Sequence, residues 1–420
     1  MRMKFNKSSQ LMLVSAAGLL VAGLVTACGT NTVDFVYVAS SKAAGTNNYG
    51  EIDVFEINSE SGYMRQIPSS PFLSEGRNPV AEAVSTDYAN LYVANQDDSS
   101  IVQFIIGSDG KLYPQSTTDT VGVAKPTGFN PVALAVSGSN LFVLNTTEPL
   151  TSCSTASCSG SVGVYPILAK SGSTPSGELG DPAANGNGYY WPLTLPSNPK
   201  HVIVPTGINA TASGTAVFVT AYDSSASPTA GYVFGYTVGT GGVLTPLNNG
   251  VPFSVGVHPS AVASDSSSSY VYVTDYSSGV VHGFAYASGL LTKLSGSPYQ
   301  TGNQPSAIVA DSKYPYVYVA NSLDGTVTGF SISNGVLTHV GTSTSTGTYA
   351  AGIQPVAIGI DPSFNHFIFT ANYLGNGAVG TVSGFELNST DGTLVNSMNS
   401  PFTSNAQPTA VAAIPHNQKK

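Results

Sequence analysis

The chain has 420 residues, of which 9% are charged and 41% hydrophobic, and it contains 45 glycines. Helices favour Ala, Leu, Glu, Lys and Arg, so this composition argues against a mainly helical protein and favours short strands joined by turns. Its hydrophobic content is too high for a disordered chain. The net charge of −9 disfavours a nucleic-acid partner, because a phosphate backbone requires a basic surface.

The first predicted element is an export signal over residues 1–27. Three basic residues precede an apolar run at residues 11–25: Arg2, Lys4 and Lys7. The sequence Val-Thr-Ala-Cys ending at Cys28 resembles a bacterial lipobox, in which the cysteine is lipidated. We therefore predict a membrane lipid anchor at Cys28, a tether over residues 28–33, and a location in the bacterial cell envelope, either periplasmic or on the surface.

Two alternatives to the lipid anchor remain open. The first is an ordinary secretory signal followed by a chance cysteine. The second is a transmembrane helix, which is disfavoured because the apolar run falls short of the ~20 residues that a span needs. Processing before Cys28 would leave 11 basic and 23 acidic residues, a formal charge of −12.

A hexad rich in β-branched and aromatic residues recurs seven times along the chain. It reads FVYVAS (35–40), NLYVAN (90–95), NLFVLN (140–145), VFVTAY (217–222), YVYVTD (270–275), YVYVAN (316–321) and FIFTAN (367–372). Equivalent residues, taken as Val38, Val93, Val143, Val219, Val273, Val319 and Phe369, are 55, 50, 76, 54, 46 and 50 positions apart. A period near 50 that contains several strand patterns is typical of β-propeller blades.

Each hexad has neighbours that also repeat. Six hexads follow a proline that opens a short apolar strand, as in NPVAEAV from Asn78, and a Gly-initiated alternating strand and a fourth strand follow the hexads. The pattern predicts an all-β, seven-bladed β-propeller at residues 34–414 with four-stranded antiparallel blades. A proline strand without a hexad, QPTAVAAI (407–414), is expected to complete the first blade and close the ring, leaving a tail at 415–420.

The spacing of 76 places an insertion at about residues 169–204, which contains the single tryptophan, Trp191. A surface loop packed by its own aromatic residues is the favoured interpretation, and a lid over the channel mouth is the alternative. Cys153 and Cys158 lie in a Ser/Thr-rich loop and are predicted to form a disulfide in an oxidising compartment. No histidine or third cysteine is near them, so we expect no metal site, and no nucleotide-binding motif indicates a cofactor.

The units YVYVAN…GTVTGF and YVYVTD…GVVHGF resemble the YVTN/lactonase-type seven-bladed propellers, which include 6-phosphogluconolactonase-like and carboxymuconate-cyclase-like proteins. The resemblance covers about Val33 to Ile414. It implies an activity that opens or forms lactones, with His, Glu and Arg side chains at the channel mouth. The histidines that such proteins carry just after the blade proline do not occur here, and only Arg65 and Arg77 follow residue 27.

The residue before each blade proline is expected at one end of the channel, and six of the seven are polar. Five amides are predicted ligand-binding residues: Asn78, Asn130, Gln304, Gln354 and Gln407. The hexads add Asn95, Asn145, Asp275, Asn321 and Asn372 at the same end. Such neutral groups suit a polar, uncharged ligand. The alternative is that they satisfy backbone groups in turns.

Three residues are candidate catalytic groups. Glu82 occupies an inner-strand position that is Leu, Ile or Val elsewhere, and Arg77 is its nearest local partner. The pair is interpreted either as an acid/base and anion-orienting site or as a structural ion pair. His258 is either a general base or a turn residue. Asp97 and Asp98 are predicted to be solvated turn residues.

Two functions follow from these residues. The first is a monomeric, non-catalytic propeller that binds a small polar ligand, such as a glycan or a lactone, or an envelope protein. The second is a lactone hydrolase in which Glu82 or His258 activates water and Arg77 stabilises the oxyanion.

Overall fold

A computed structural model describes residues 32–44, 48–115, 124–126, 128–148, 153, 157–171, 176–185, 188–341, 347–362, 366–375 and 379–416. The predicted signal at 1–27, Cys28 and residues 417–420 lie outside these ranges. Within them, no helix is both long enough and apolar enough to cross a bilayer. The only helices in the described ranges are two single 3₁₀ turns, Thr240–Gly242 and Asn248–Gly250.

The strands form seven antiparallel sheets, each with four main strands that follow sequence order from the inside outwards, except that the last strand of the chain is the innermost strand of blade 1. Blades 1 to 4 comprise Pro408–Pro415, Thr32–Ala44, Tyr49–Asn58, Met64–Gln66; Pro79–Val84, Asn90–Asn95, Ser100–Ile106, Leu112–Pro114; Phe129–Ser137, Asn140–Thr147, Ser161–Pro166, Trp191–Pro192; and Ile203–Ala210, Ala216–Asp223, Ala230–Val238, Leu244–Pro246. Blades 5 to 7 comprise Pro259–Ser264, Tyr270–Asp275, Val280–Ala287, Leu290–Lys293; Pro305–Ala310, Tyr316–Asn321, Thr326–Ser333, Val336–His339; and Ile353–Ile360, Phe367–Leu374, Thr381–Leu387, Leu394–Asn396. The predicted seven-bladed propeller is confirmed.

Six of the blades have a further short strand beside the start of the third strand. These strands are Phe72–Leu73, Ala124–Pro126, Phe253–Ser254, Tyr299–Gln300, Thr348–Ala350 and Phe402–Thr403. The outer strand of these blades is therefore built in two pieces. The innermost and second strands are each a single piece, and the innermost strand lines the channel.

The C-terminal strand closes the ring, as predicted. Val411 pairs with Val38 and Ala410 with Ala39, so the last strand becomes the inner strand of blade 1. The hydroxyl of Thr409 donates to the carbonyl of Pro79 in blade 2 at 2.7 Å. The inner edge of the strand Thr32–Ala44 is thereby paired, which removes a site for aggregation.

In four blades a tyrosine at the centre of the hexad fastens the blade to the next one. These tyrosines donate a hydrogen bond from the phenol to a glycine carbonyl in the turn between the third and fourth strands of the following blade. The pairs are Tyr37 with Gly110, Tyr92 with Gly177, Tyr272 with Gly335 and Tyr318 with Gly392, at 2.7–3.0 Å. All four side chains are fully buried. The repeated YVYV motif therefore encodes contacts between blades as well as strand propensity.

Replacing Tyr318 with phenylalanine should lower the free energy of unfolding by about 1–2 kcal/mol, because the Gly392 carbonyl loses its buried donor. Urea unfolding of the two proteins measures the difference. The same substitution at Tyr113, whose side chain is half exposed, is the control and should have little effect. Equal loss of stability in both variants would contradict the proposed contribution of the hydrogen bond from Tyr318 to Gly392.

The pairing register corrects one equivalence in the repeat. Glu82 pairs with Val93, whereas Ile358, at the same position in blade 7, pairs with Thr370 rather than with Phe369. The turn between the first two strands of blade 7 has one residue more than its counterpart in blade 2. The blade proline lies 14 residues before the hexad valine, or before Phe369, in five of the six hexads that follow one, and in blade 7 this equal spacing concealed a shift of one residue.

The described part of the insertion completes blade 3. Trp191 pairs with Val162 and donates from Nε1 to the carbonyl of Leu244 in blade 4 at 2.8 Å. Leu193 and Leu195 are buried in the hydrophobic cluster between these two blades. Neither a free surface loop nor a lid describes this segment, because it supplies an outer strand and packing between blades.

Candidate functional site

One end of the ring brings the predicted polar residues together. In each blade the first strand begins where the second strand ends; Pro79, for example, pairs with Asn95 and Pro259 with Asp275. We call this end the mouth. It is defined by the residue before each blade proline and by the residue three positions after the hexad valine. In blade 7 the second count starts from Thr370, the residue equivalent to the valine. These residues are Asn78, Asn130, Val204, His258, Gln304, Gln354, Gln407, Ser41, Gln96, Thr146, Tyr222, Tyr276, Ser322 and Tyr373. All are half-buried except Ser322, which is buried.

The five predicted amides lie at the mouth, and four of them adopt left-handed backbone conformations. Asn78, Asn130, Gln304 and Gln354 have φ between 53° and 55°. The carbonyls of Asn78, Gln304 and Gln407 accept hydrogen bonds from the residue three positions after the hexad valine. Their backbones thus serve the turn, while their half-buried side chains remain at the mouth.

The amides and carboxylate at the hexad ends are buried, in contrast to the expectation that they would line the channel. Asn321, for example, accepts from Thr301 and from the amide of Gly302, and donates to Thr326 and Thr328 at 2.9–3.1 Å. The others are equally buried: Asn95, Asn145, Asp275 and Asn372. These residues hold together the loops of the mouth instead of facing a ligand.

The predicted ion pair between Glu82 and Arg77 does not form. Arg77 binds Asp98 instead, with both side-chain and backbone nitrogens 2.6–2.7 Å from the carboxylate. Blade 6 holds the same loop junction by Asn303 and Asp324, at 2.7 and 2.9 Å. The Arg77 contact is therefore one version of a repeated loop tie. Asp98 is not merely a solvated turn residue, and neither is Asp97, which accepts from Asn78 at 3.1 Å.

Glu82 lies between blades 1 and 2. At the same position in blade 5, Val262 packs in the cluster between blades 4 and 5. Both carboxylate oxygens of Glu82 are buried and accept no hydrogen bond of normal geometry from the described residues. Burial raises the pKa of Glu82 to about 8, and the nearby amides of Ala412 and Ala39 oppose part of this shift.

His258 belongs to an aromatic cluster at the mouth. Its ring packs edge-on against Tyr222 of blade 4 and Tyr276 of blade 5, with centroid distances of 4.3 and 5.7 Å. The Tyr276 hydroxyl donates to the side-chain oxygen of Gln304 in blade 6 at 2.8 Å. We call Tyr222, His258, Tyr276 and Gln304 the aromatic patch. The sequence analysis identified His258 and Gln304 but missed the tyrosines, whose shared position after the hexad was the available signal.

The electrostatics of the patch keep its imidazole neutral and its nearest carboxylate charged. Burial lowers the pKa of His258, and the negative charge of Asp275 opposes part of this effect. Burial would raise the pKa of the Asp275 carboxyl, but His282 and Ser278, with the amides of Val257 and His258, hold it well below its usual range. Asp275 thereby fixes the loop that presents His258.

A second pair at the mouth end was missed by the sequence analysis. Nδ1 of His201 lies 2.6 Å from a carboxylate oxygen of Asp223. Asp223 ends the second strand of blade 4, and His201 lies in the loop that leads into the first strand of the same blade. The two residues are 22 positions apart and meet only because strands Ile203–Ala210 and Ala216–Asp223 pair.

A cavity of about 430 Å³ opens between blades 6 and 7 at the same end. Gln354 and Asp324 lie at its wall beside Leu323 and Ile353, which are 65% and 55% exposed. The lining is mostly apolar, Asp324 already binds Asn303, and the Gln354 side chain has no hydrogen-bond partner among the described residues. It is a second concave region of the mouth, separate from the aromatic patch.

Elsewhere, Cys153 and Cys158 form the predicted disulfide. Both arginines that follow residue 27 bind carboxylates, Arg65 that of Glu56 and Arg77 that of Asp98. Each guanidinium thus already has a carboxylate partner, and both side chains are more than half exposed.

No family model matches the chain, and no curated protein matches it. Among solved structures, a Bacteroides fragilis protein provisionally assigned as a 6-phosphogluconolactonase is similar over 92% of this chain and 99% of its own, with a TM-score of 0.67 and 19% identity. A Bacteroides uniformis protein with the same provisional assignment covers 91% and 100%, with a TM-score of 0.64 and 17% identity. The periplasmic gluconolactonase of Pseudomonas aeruginosa covers 91% and 99%, with a TM-score of 0.64 and 16% identity. At these identities the likeness shows the fold, which is that of the 6-phosphogluconolactonase-like seven-bladed propellers.

Proposed function

We propose that this protein binds a neutral, sugar-like ligand at its mouth, through the aromatic patch. The observation that carries the proposal is the seating of His258 between Tyr222 and Tyr276, with Gln304 held by the Tyr276 hydroxyl. Aromatic faces and edges contact the C–H surfaces of a sugar, while a fixed amide meets its hydroxyls. Because the Gln304 oxygen already accepts a hydrogen bond, its NH₂ group remains available to donate to the ligand.

A neutral ligand fits better than a phosphorylated one. The two arginines that could bind a phosphate bidentately are occupied by Glu56 and Asp98. The chain is acidic overall, which further disfavours an anion. The ligand class is therefore an unphosphorylated sugar or sugar lactone, with Asn78, Asn130, Gln354 and Gln407 as further contacts around the mouth.

The proposal places the protein in the bacterial cell envelope as a monomer of the YVTN/lactonase group, anchored through a lipidated Cys28. The lipobox-like sequence before Cys28 supports this location. A periplasmic gluconolactonase is also among the proteins of the same fold. No nucleic-acid partner is expected, because the acidic chain would repel a phosphate backbone.

Replacing Tyr276 with alanine should raise the Kd for a bound monosaccharide about tenfold, because the ring contact and the support for Gln304 are both lost. Saturation-transfer NMR with glucose, N-acetylglucosamine and D-glucono-1,5-lactone would identify the ligand, and titration calorimetry would give its Kd. The control is Tyr113→Ala, which removes a half-exposed tyrosine on the outer strand of blade 2. Binding that is unaffected by Tyr276→Ala, or no binding of any of the three sugars, would refute the proposed site.

Lactone-ring hydrolysis is the second candidate function. The assignments of the proteins that share the fold favour it. Of the three catalytic residues suggested by the sequence, His258 lies in the aromatic patch, whereas Arg77 is tied to Asp98 and Glu82 lies between blades. Hydrolysis therefore needs a base that can reach solvent, and Glu82 does not meet this requirement.

A further inference from the structure

We propose that His201 is a general base for ester hydrolysis and that Asp223 is the residue that positions it. The inference rests on the second candidate function, lactone hydrolysis, and assigns it to a pair that is distinct from the aromatic patch. Three observations support the inference. They are the geometry of the pair, its place at the mouth end, and its absence from the repeated pattern of the blades.

Asp223 is held as an acceptor that orients the imidazole. One carboxylate oxygen accepts the backbone amides of Ser225 and Ala226 at 2.8 and 3.2 Å, and the other faces Nδ1 of His201 at 2.6 Å. The Asp223 side chain is only 2% exposed, whereas that of His201 is 33% exposed. A carboxylate only accepts, so the neutral imidazole carries its proton on Nδ1 and presents Nε2 as a base.

The fold itself does not require this pair. Loop ties at the same end of blade 6, between Asn303 and Asp324, and of blade 2, between Arg77 and Asp98, contain no histidine. The loop around His201 is also held independently, because the Ser159 hydroxyl donates to the His201 carbonyl and accepts from the amide of Ile203. The imidazole is thus not needed to close the loop, and its Nε2 has no hydrogen-bond partner among the residues that the structure describes.

The location suits a substrate that reaches the mouth between blades 3 and 4. Tyr222 of the aromatic patch and Asp223 are consecutive, but neighbouring side chains of a strand point to opposite faces. Tyr222 contacts His258 of blade 5, so Asp223 and His201 face blade 3. The pair and the patch therefore lie on opposite sides of blade 4 at the same end of the ring.

The chemical step is addition of water to an ester carbonyl. Nε2 of His201 takes a proton from water as the water oxygen bonds to the carbonyl carbon, and the imidazolium is stabilised by Asp223. The ring C–O bond then breaks, and the departing alkoxide takes the proton back from Nε2. The net change is the addition of one water to a neutral cyclic ester, giving a hydroxy acid, and no other reactant is needed.

The test follows hydrolysis of D-glucono-1,5-lactone in a pH-stat and of p-nitrophenyl acetate by absorbance, with the protein anchored or freed of its lipid. His201→Gln should lower kcat about 100-fold with little change in KM. The pH–rate profile of the unmodified protein should differ in shape from that of His201→Gln, and Asp223→Asn should also lower kcat. A purely structural histidine would not move this pH profile. His416→Gln, which alters a histidine at the opposite end of the inner strand of blade 1, is the matched control.

Two results would overturn the inference. One is hydrolysis that persists in His201→Gln while the variant melts like the unmodified protein. The other is no hydrolysis of either probe by the unmodified protein while sugar binding at Tyr276 is retained. The second result leaves the proposed binding function intact. The opposite result, in which no sugar binds but hydrolysis that depends on His201 is observed, would remove only the binding proposal.

Discussion

Deleting residues 407–420 is expected to abolish the cooperative unfolding transition of the full chain. The deletion removes the strand Pro408–Pro415, which pairs with Asp34 to Ser40 and forms the inner wall of blade 1. Val36 and Val38 are fully buried in the intact ring, and without the last strand their backbone would form an open edge beside the channel. Thermal unfolding followed by circular dichroism measures the loss. A chain that lacks only residues 417–420 is the control and should melt normally.

A milder variant tests the same closure in a protein that still folds. The buried Asp53 of blade 1 accepts hydrogen bonds from Ser404 and from the backbone and side chain of Asn405, at 2.6–3.1 Å, across 351 and 352 residues of sequence. Asp53→Ala should lower the free energy of unfolding by about 2–4 kcal/mol, because the buried donors lose their acceptor. If both the deletion and Asp53→Ala melted like the full chain, ring closure through the C-terminal strand would not be what stabilises the fold.

The propeller could be predicted from sequence because its signals are local and repeated. Strand alternation, the blade proline and the turn residues recur with each blade, and the unmatched proline strand at the C-terminus indicated how the ring closes. The contacts that fasten the blades were hidden in the same motif. Nothing in the sequence shows that Tyr318 reaches Gly392, because the two residues are 74 positions apart.

The site was predicted less well, because its pairings depend on loops that differ between blades. Arg77 and Glu82 are close in sequence, but the left-handed Asn78 and a register shift between Pro79 and Ala81 separate them. Arg77 turns to Asp98, while Glu82 lies between blades 1 and 2. His201 lies in a loop and Asp223 at the end of a strand 22 positions later, and only the strand pairing of blade 4 brings them together. Sequence proximity therefore suggested a pair that does not form and missed one that does.

Glu82 was recognised correctly as an anomaly, and its environment indicates a cost to stability. Its counterparts in the other blades are apolar: Leu134, Ile208, Val262, Ile308, Ile358 and Val411. Burial raises the pKa of Glu82 to about 8, so the folded protein holds a proton that the unfolded chain releases near pH 4.5. The stability that this proton contributes is fully present below about pH 4.5 and is lost as the pH rises towards 8, at roughly 1.4 kcal/mol for each unit of difference in pKa.

Glu82→Val should therefore raise the free energy of unfolding by about 2 kcal/mol at pH 6, where the buried acid is mostly neutral but unpaired. The gain should increase to several kcal/mol at pH 9, where the carboxylate of the unmodified protein is ionised. Urea unfolding of both proteins at several pH values measures this, and their difference cancels the titration of all other groups. Glu82→Gln, which keeps the shape and removes the charge, should lose the pH dependence but not reach the stability of Glu82→Val.

The same pair of variants separates a structural from a catalytic Glu82. Two results would show that a partner compensates the buried carboxylate. One is a free energy of unfolding that varies with pH in the same way in Glu82→Val and the unmodified protein. The other is a Glu82→Val that is less stable than the unmodified protein. A different result would identify Glu82 as the base instead of His201. In that case Glu82→Val and Glu82→Gln would have the expected stability but would not hydrolyse lactones, whereas His201→Gln would still do so. Gain of stability with unchanged hydrolysis is the expected result, since a carboxylate enclosed between blades 1 and 2 cannot take a proton from water at the mouth.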